Sequence, residues 1–261
     1  MGSGPDLFLA ECAELVRAGQ QLVLVHGGGP QIDAAVRRAG VAERRIAGLR
    51  VTDAATLEIT EAVLCGTVNK ALVRAFGASG VQAIGLSGQD AGLLIAGPLV
   101  LADHETTSGD VAFAPGAGSL GFVGEVLAVN PEPIFALLAA GYLPVIAPLG
   151  CSADRQFRYN LNADTAAGAL AGALGADPYI VITDVPRVRR DPHDASTGID
   201  RLSLSEARVL LEAGAFDGGM RPKMLAIMSA LMGGASRAVL AGGERALHKA
   251  LTGDGTVIYA D

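Results

Sequence analysis

Short apolar runs alternate with segments of helical period along almost the whole chain, and this alternation is what most narrows the fold. Phe8 to Arg17 carries apolar residues at helical spacing and stops at Gly19, after which Gln21 to Val25 forms a short apolar strand. Helices are predicted over Gln31–Ala39 and Ala54–Phe76, the second capped by Thr52 or Asp53. A strand follows at Val81–Leu86, then a helix at Pro131–Ala140 closed by Gly141, and a strand at Leu143–Ala147. The second half repeats the alternation. Ala163–Leu174, Ser203–Gly214 and Arg221–Met232 read as helices; Tyr179–Thr183, Arg237–Ala241 and Thr256–Tyr259 read as strands. Strands that are apolar on both faces need cover on both faces, so the pattern predicts an α/β fold with a largely parallel central sheet sandwiched by helices. Two lobes are expected, residues 1–150 and 151–261, dividing near Gly150.

Composition excludes several classes. A net charge of -7 argues against a broad basic surface for nucleic acid, so any anion site has to be local. No stretch approaches the ~20 apolar residues of a membrane span, and no signal peptide is legible at the start. Cys12, Cys65 and Cys151 are far apart and lack metal spacing, which fits ordinary buried thiols in a cytosolic protein. The 35 glycines and 12 prolines punctuate apolar runs instead of forming a low-complexity tract, and Glu105 to Leu120 reads as loops or a hairpin.

The stretch "VHGGGP" puts three glycines at the carboxyl end of the first strand, where ligands bind in such sheets. Glycine lets amide N–H groups approach an anion at a helix N-terminus; it equally serves a tight turn with close helix packing, and the loop alone does not choose. It is neither a P-loop nor a GxGxxG fingerprint. His26 is open to two readings, a general base or a structural strand-end histidine. In "GLRVTD", Arg50 is either a two-pronged carboxylate clamp or a surface cation. "NLNAD" sets Asn160, Asn162 and Asp164 at alternating positions before a helix, and a helix cap explains one of them, not three. "ITDVP" ends a strand with Thr183 and Asp184, suited to nucleotide contacts or to a plain turn. "GGMRPK" places Gly218 and Gly219 before a helix whose start carries Arg221 and Lys223, a phosphate site or solvated charge.

Together with "GTVNK", "GLSGQD", "GFVGEV" and "GYLPVIAPLG", these stretches resemble, in order and over nearly the whole chain, the acetylglutamate kinases of the amino-acid kinase superfamily. The resemblance implies MgATP-dependent phosphorylation of the side-chain carboxylate of N-acetyl-L-glutamate, in arginine biosynthesis. It implies that Gly28 and Gly29 present N–H groups to the reacting carboxylate, and that Arg50 and Asn160 hold the α-carboxylate. Lys223 would stabilise the transferring phosphoryl group, Asp164 would orient the charged groups around it, and Thr183, Asp184 and Gly219 would border ATP. The first lobe is then the acceptor and homodimer lobe, and residues 151–261 the ATP lobe. Mg²⁺ is expected on the ATP phosphates, with no dedicated metal cage.

The family's opening strand, Lys-x-Gly-Gly, is not matched. The chain begins "MGSGPDLFLAECAEL", already at the turn into its first helix, and has no lysine before Lys70. Loss of that cation is worth on the order of 3 kcal/mol in the transition state. A truncated start, a cloning remnant at "MGSG" and a noncatalytic binding paralogue are the competing explanations; joint retention of Arg50, Asn160, Asp164 and Lys223 favours truncation. A kinase for carrier-linked aminoadipate is the neighbouring enzymatic alternative. Arg187 stands where the family usually has glycine and is expected to alter the nucleotide rim; arginine insensitivity is expected because no hexamer-forming N-terminal helix is visible.

Overall fold

The computed structural model describes residues 4–42, 44–46, 49–100, 120–191, 193–216 and 218–261. The loops or hairpin expected over Glu105 to Leu120 lie outside the described residues, save Leu120 itself. In chain order, α1 (Gly4–Arg17) precedes β1 (Leu24–Val25), α2 (Gly29–Arg38), β2 (Arg45–Ile46), β3 (Leu49–Arg50), α3 (Ala54–Glu61), a π-helical segment (Ala62–Val68) and α4 (Asn69–Ala78). Next come β4 (Ala83–Ser87), β5 (Leu94–Pro98), β6 (Val123–Val129), α5 (Glu132–Ala139), β7 (Leu143–Ala147), β8 (Leu149–Cys151), β9 (Arg158–Leu161) and α6 (Ala163–Ala173). The chain ends with β10 (Tyr179–Thr183), β11 (Arg201–Ser203), α7 (Leu204–Glu212), α8 (Met220–Met232), β12 (Arg237–Gly242), α9 (Ala246–Thr252) and β13 (Thr256–Tyr259).

Two compact units result: Val23–Ala166, and Ala167–Asp261 joined by the segment up to Leu22. The division falls inside α6 and not near Gly150, because Leu149–Cys151 is a strand of a closed barrel and cannot part from its neighbours. In the first unit β1, β7 and β4 form a parallel sheet in the order β1-β7-β4. Every residue of β7 is buried, as a strand covered on both faces requires. β1 is shorter than the predicted Gln21–Val25, and Pro144 supplies the reason. Leu143 donates its N–H to Gln82 on the β4 side, so the next amide position faces β1, and there proline has no hydrogen. The ladder accordingly starts one residue later, with Leu24 opposite Val145.

Two further features escaped the sequence reading. Strands β5, β6, β9 and β8 close into a small barrel, with mixed antiparallel and parallel pairing. The helix predicted over Ala54–Phe76 is continuous but changes pitch in its middle third, from α to π and back. Asp53 is its cap, accepting the Thr56 N–H at 2.8 Å.

In the second unit the sheet order is β10-β12-β13-β11, with β12 and β13 antiparallel and the other pairs parallel. Met224, Ile227 and Leu231 of α8 pack with Val181, Leu202, Leu240 and Ile258 in its core. Ser203 and Glu206 form a capping box at the start of α7. α1 is tied to this unit by Glu11, which is buried and accepts the His248 N–H at 3.2 Å.

Candidate functional site

The glycine loop leaves β1 at His26, whose N–H still donates to the Ile146 carbonyl at 3.1 Å. Gly28 is the N-cap of α2, and Pro30 sits in the first turn, where its missing N–H is harmless. Gly28 has an extended φ of -176°, which any residue adopts. Its side chain is excluded by packing instead: a Cβ there would lie 2.8 Å from Leu64 Cδ2 and 3.4 Å from Val68 Cγ2, both on the π-helical segment. A Cβ on Gly29 would meet nothing within 4 Å. Close helix packing thus accounts for Gly28, while the face of the loop at Gly29 stays open to a ligand.

His26 is buried, with Nδ1 3.0 Å from the Gly27 carbonyl and Nε2 3.1 Å from Asn69 Nδ2. A carbonyl and an amide nitrogen are complementary partners only if Nδ1 carries the proton and Nε2 accepts. Burial depresses its pKa below the ordinary 6.5, outweighing the opposing effect of the Gly27 carbonyl. A depressed pKa means that the unfolded chain binds the proton more readily. His26 therefore contributes stability that is complete above pH 6.5 and is lost as pH falls through its lower folded value. Urea midpoints measured from neutral pH downward should fall across that window in the parent, and fall less in His26→Asn.

Arg50, at the end of β3, is also buried. Its Nη2 pairs with Asp33 of α2, whose same carboxylate oxygen takes Arg45 Nη2 at 3.0 Å. For Asp33 burial acts to raise the pKa, but the Arg50 hydrogen bond and the charges of Arg50, Arg45 and Arg37 outweigh it and hold the carboxyl below its ordinary value. The Thr52 hydroxyl, fully buried, donates to the Arg50 carbonyl at 3.0 Å and accepts from Asn160 Nδ2 at 3.3 Å. The two residues expected to share one carboxylate are thus joined through a single threonine. Asp33 was not singled out from the sequence, and Thr52 was read there only as a candidate helix cap. Thr52 lies within the quoted "GLRVTD", but it takes the bridge from Thr52 to Gly121 together with the β6–β9 pairing, with Val123 opposite Asn160, to bring that amide to it.

The remaining residues fall as follows. Asn162 is the helix cap of its motif: its Oδ1 accepts the Thr165 N–H at 3.1 Å, leaving Asp164 in the first turn of α6. Gly28, Gly29, Arg50, Asn160 and Asp164 all belong to the unit Val23–Ala166. Thr183, Asp184, Gly219 and Lys223 belong to the other. Thr183 closes β10 opposite Gly242, where a Cβ would lie 2.4 Å from the Thr183 carbonyl, and Asp184 is exposed just beyond. Gly219 is the N-cap of α8 and Lys223 stands one turn in. Arg187 pairs with Asp200 at 3.0 Å and Asp254 at 2.8 Å, all at least partly exposed, so it braces two loops of its own unit at small energetic gain. The three cysteines are free, and burial pushes Cys12 up to about 12 and Cys65 up to about 11, far from a reactive thiolate.

Comparisons with known proteins agree with this architecture. The amino acid kinase family model matches residues 5–242. The chain is 43% identical to an acetylglutamate kinase of Methanopyrus kandleri, over 94% of each chain. It is 42% identical to one of Symbiobacterium thermophilum, over 88% of this chain and 75% of that one. The crystal structure of smu.665 from Streptococcus mutans UA159 superposes with a TM-score of 0.77 at 26% identity, covering 100% of this chain and 94% of the other. The ordered motifs, the fold and these matches coincide, and the chain belongs to the amino acid kinase family.

Proposed function

We infer that this protein is an acetylglutamate kinase, transferring the γ-phosphoryl group of ATP to the side-chain carboxylate of N-acetyl-L-glutamate in arginine biosynthesis. The observation that carries the reading is the 43% identity over 94% of both chains to an acetylglutamate kinase. The chain of contacts from Arg50 through Thr52 to Asn160 supports it, because it sets a cation and an amide donor on one scaffold.

A carboxylate is already ionised at neutral pH and needs no general base. What opposes the reaction is the approach of two anions and the charge spread over the transferring oxygens, so N–H donors and cations are the useful groups. In this reading Gly28 and Gly29 donate to the reacting carboxylate, and Arg50 with Asn160 holds the α-carboxylate. Asp164 orients the charged groups, Lys223 neutralises the transferring phosphoryl, and Thr183, Asp184 and Gly219 border ATP. Mg²⁺ travels on the ATP phosphates and adds charge neutralisation there. A cytosolic homodimer, joined through the Val23–Ala166 unit, completes the proposal; sedimentation at working concentration tests the dimer.

An ADP-release assay over a panel of acceptors tests the reaction. N-acetyl-L-glutamate should give the highest kcat/KM. Preference for a carrier-linked aminoadipate reassigns the substrate, and calorimetric binding of N-acetylglutamate without any ADP release makes the chain a binding protein.

A further inference from the structure

We propose that His26 and Asn69 are positioning residues that aim the Gly28 amide at the acceptor carboxylate, through hydrogen bonds that begin at Lys70. The proposal rests on the reading of Gly28 as a carboxylate donor. Lys70 Nζ donates to Asn69 Oδ1 at 3.2 Å and to the Gly85 carbonyl at 2.9 Å. An ammonium beside one end of an amide decides which end is oxygen, so the Asn69 nitrogen faces inward. From there Nδ2 donates to the Val145 carbonyl at 2.9 Å and to His26 Nε2 at 3.1 Å, with the Leu86 carbonyl further away at 3.4 Å. One side chain thereby links α4 to β4, β7 and the residue that follows β1.

With the Nε2 lone pair engaged, His26 keeps its proton on Nδ1 and gives it to the Gly27 carbonyl at 3.0 Å. That carbonyl and the Gly28 N–H are the two ends of one planar peptide, trans like every described peptide bond except Asp177–Pro178. In a trans peptide the two groups point in opposite directions, so holding the carbonyl sets the direction of the N–H. Both ring nitrogens of His26 are thus used for orientation, and neither is left to act as a general base. The site is built closely around this arrangement: Asn69 is 1% exposed, and a Cβ on Gly85 would stand 1.8 Å from its Oδ1. Leu64 and Val68 leave no room for a side chain on Gly28. The π-helical segment and the first residue of α4 therefore hold the loop by sterics and by hydrogen bonding, respectively.

Asparagine places an amide nitrogen where histidine has Nδ1, whereas glutamine places its polar end where histidine has Nε2. His26→Asn keeps the donor to Gly27, and His26→Gln keeps only the partner of Asn69. We expect kcat/KM for N-acetylglutamate to fall less than about fivefold in His26→Asn and about fiftyfold in His26→Gln, with KM for ATP unchanged in both. Equal losses, or losses that simply follow the melting temperatures, overturn the proposal. Nitrogen NMR of the histidine-labelled parent at neutral pH gives a second readout that needs no turnover. It should show His26 protonated on Nδ1 and bare on Nε2; the opposite tautomer overturns the proposal whatever the acceptor. A parent that shows the expected tautomer but does not turn over N-acetylglutamate refutes the reaction, not the aiming of the amide.

Discussion

Lys223→Met is expected to lower kcat by about a hundredfold to a thousandfold while leaving KM for N-acetylglutamate and the melting temperature nearly unchanged. Lys223 lies in the N-terminal part of α8, after Gly218 in a left-handed conformation with φ of +45° and the N-cap Gly219. Arg221 shares that stretch, and the first turn has no acidic residue. Cations at the positive end of a helix are unfavourable by a few tenths of a kcal/mol to about 1 kcal/mol, a cost that a bound anion removes. In the proposed reading, removing the ammonium withdraws stabilisation where the phosphoryl charge develops. Equal decreases in kcat and kcat/KM identify an interaction made only in the transition state. A higher KM for ATP at unchanged kcat would instead make Lys223 a ground-state nucleotide ligand.

Gly168→Ala is expected to destabilise the protein by about 3 kcal/mol or more, against the gain of up to about 1 kcal/mol that alanine ordinarily brings to a helix. Its Cβ would lie 2.4 Å from the Ala226 carbonyl oxygen and 3.0 Å from the carbonyl carbon. Both atoms are backbone of α8, so no rotamer change removes the clash. One turn further along α6, a Cβ on Gly172 would lie 3.0 Å from the Gly233 Cα. At ~2–4 °C per kcal/mol for a chain of this size, a thermal melt should drop by roughly 6–12 °C. Gly29→Ala is the internal control. Its Cβ meets nothing within 4 Å, so the melt should hold while acceptor kinetics change. A Gly168→Ala protein that melts like its parent would overturn this account of how closely α6 and α8 pack.

Much of the fold was legible because periodicity reports burial directly. Leu143–Ala147 and Tyr179–Thr183 occupy the residues read as strands, and α5 and α7 end next to the glycines that close them, Gly141 and Gly214, with φ of +80° and +74°. The barrel was not legible, since its strands include three- and four-residue segments whose pairing depends on partners distant in the chain. The π-helical turn was hidden as well: "AVLCGTV" carries no proline, and its one glycine does not predict a change of pitch.

The candidate site divides along the same line. Residues proposed to meet a ligand, such as Gly28, Arg50, Asn160 and Lys223, stand in recognisable motifs because the proposed chemistry demands those residue types. Residues that act on other residues do not. Asp33 reads as a solvated charge on an amphipathic helix until the β2–β3 hairpin brings Arg45 and Arg50 to it. Asn69 was quoted within "GTVNK" without a role, because His26 and Val145, to which its amide nitrogen donates, are 43 and 76 residues away in sequence.

By itself the sequence determined the α/β class, most element positions and the kind of chemistry, because side-chain periodicity and ligand-facing residue types are local properties. Only the tertiary structure decided why Gly28 must lack a side chain, which proton His26 carries and how Arg50 is joined to Asn160. Each of these depends on groups that reach one another only when strands distant in sequence pair, and no local pattern encodes that pairing.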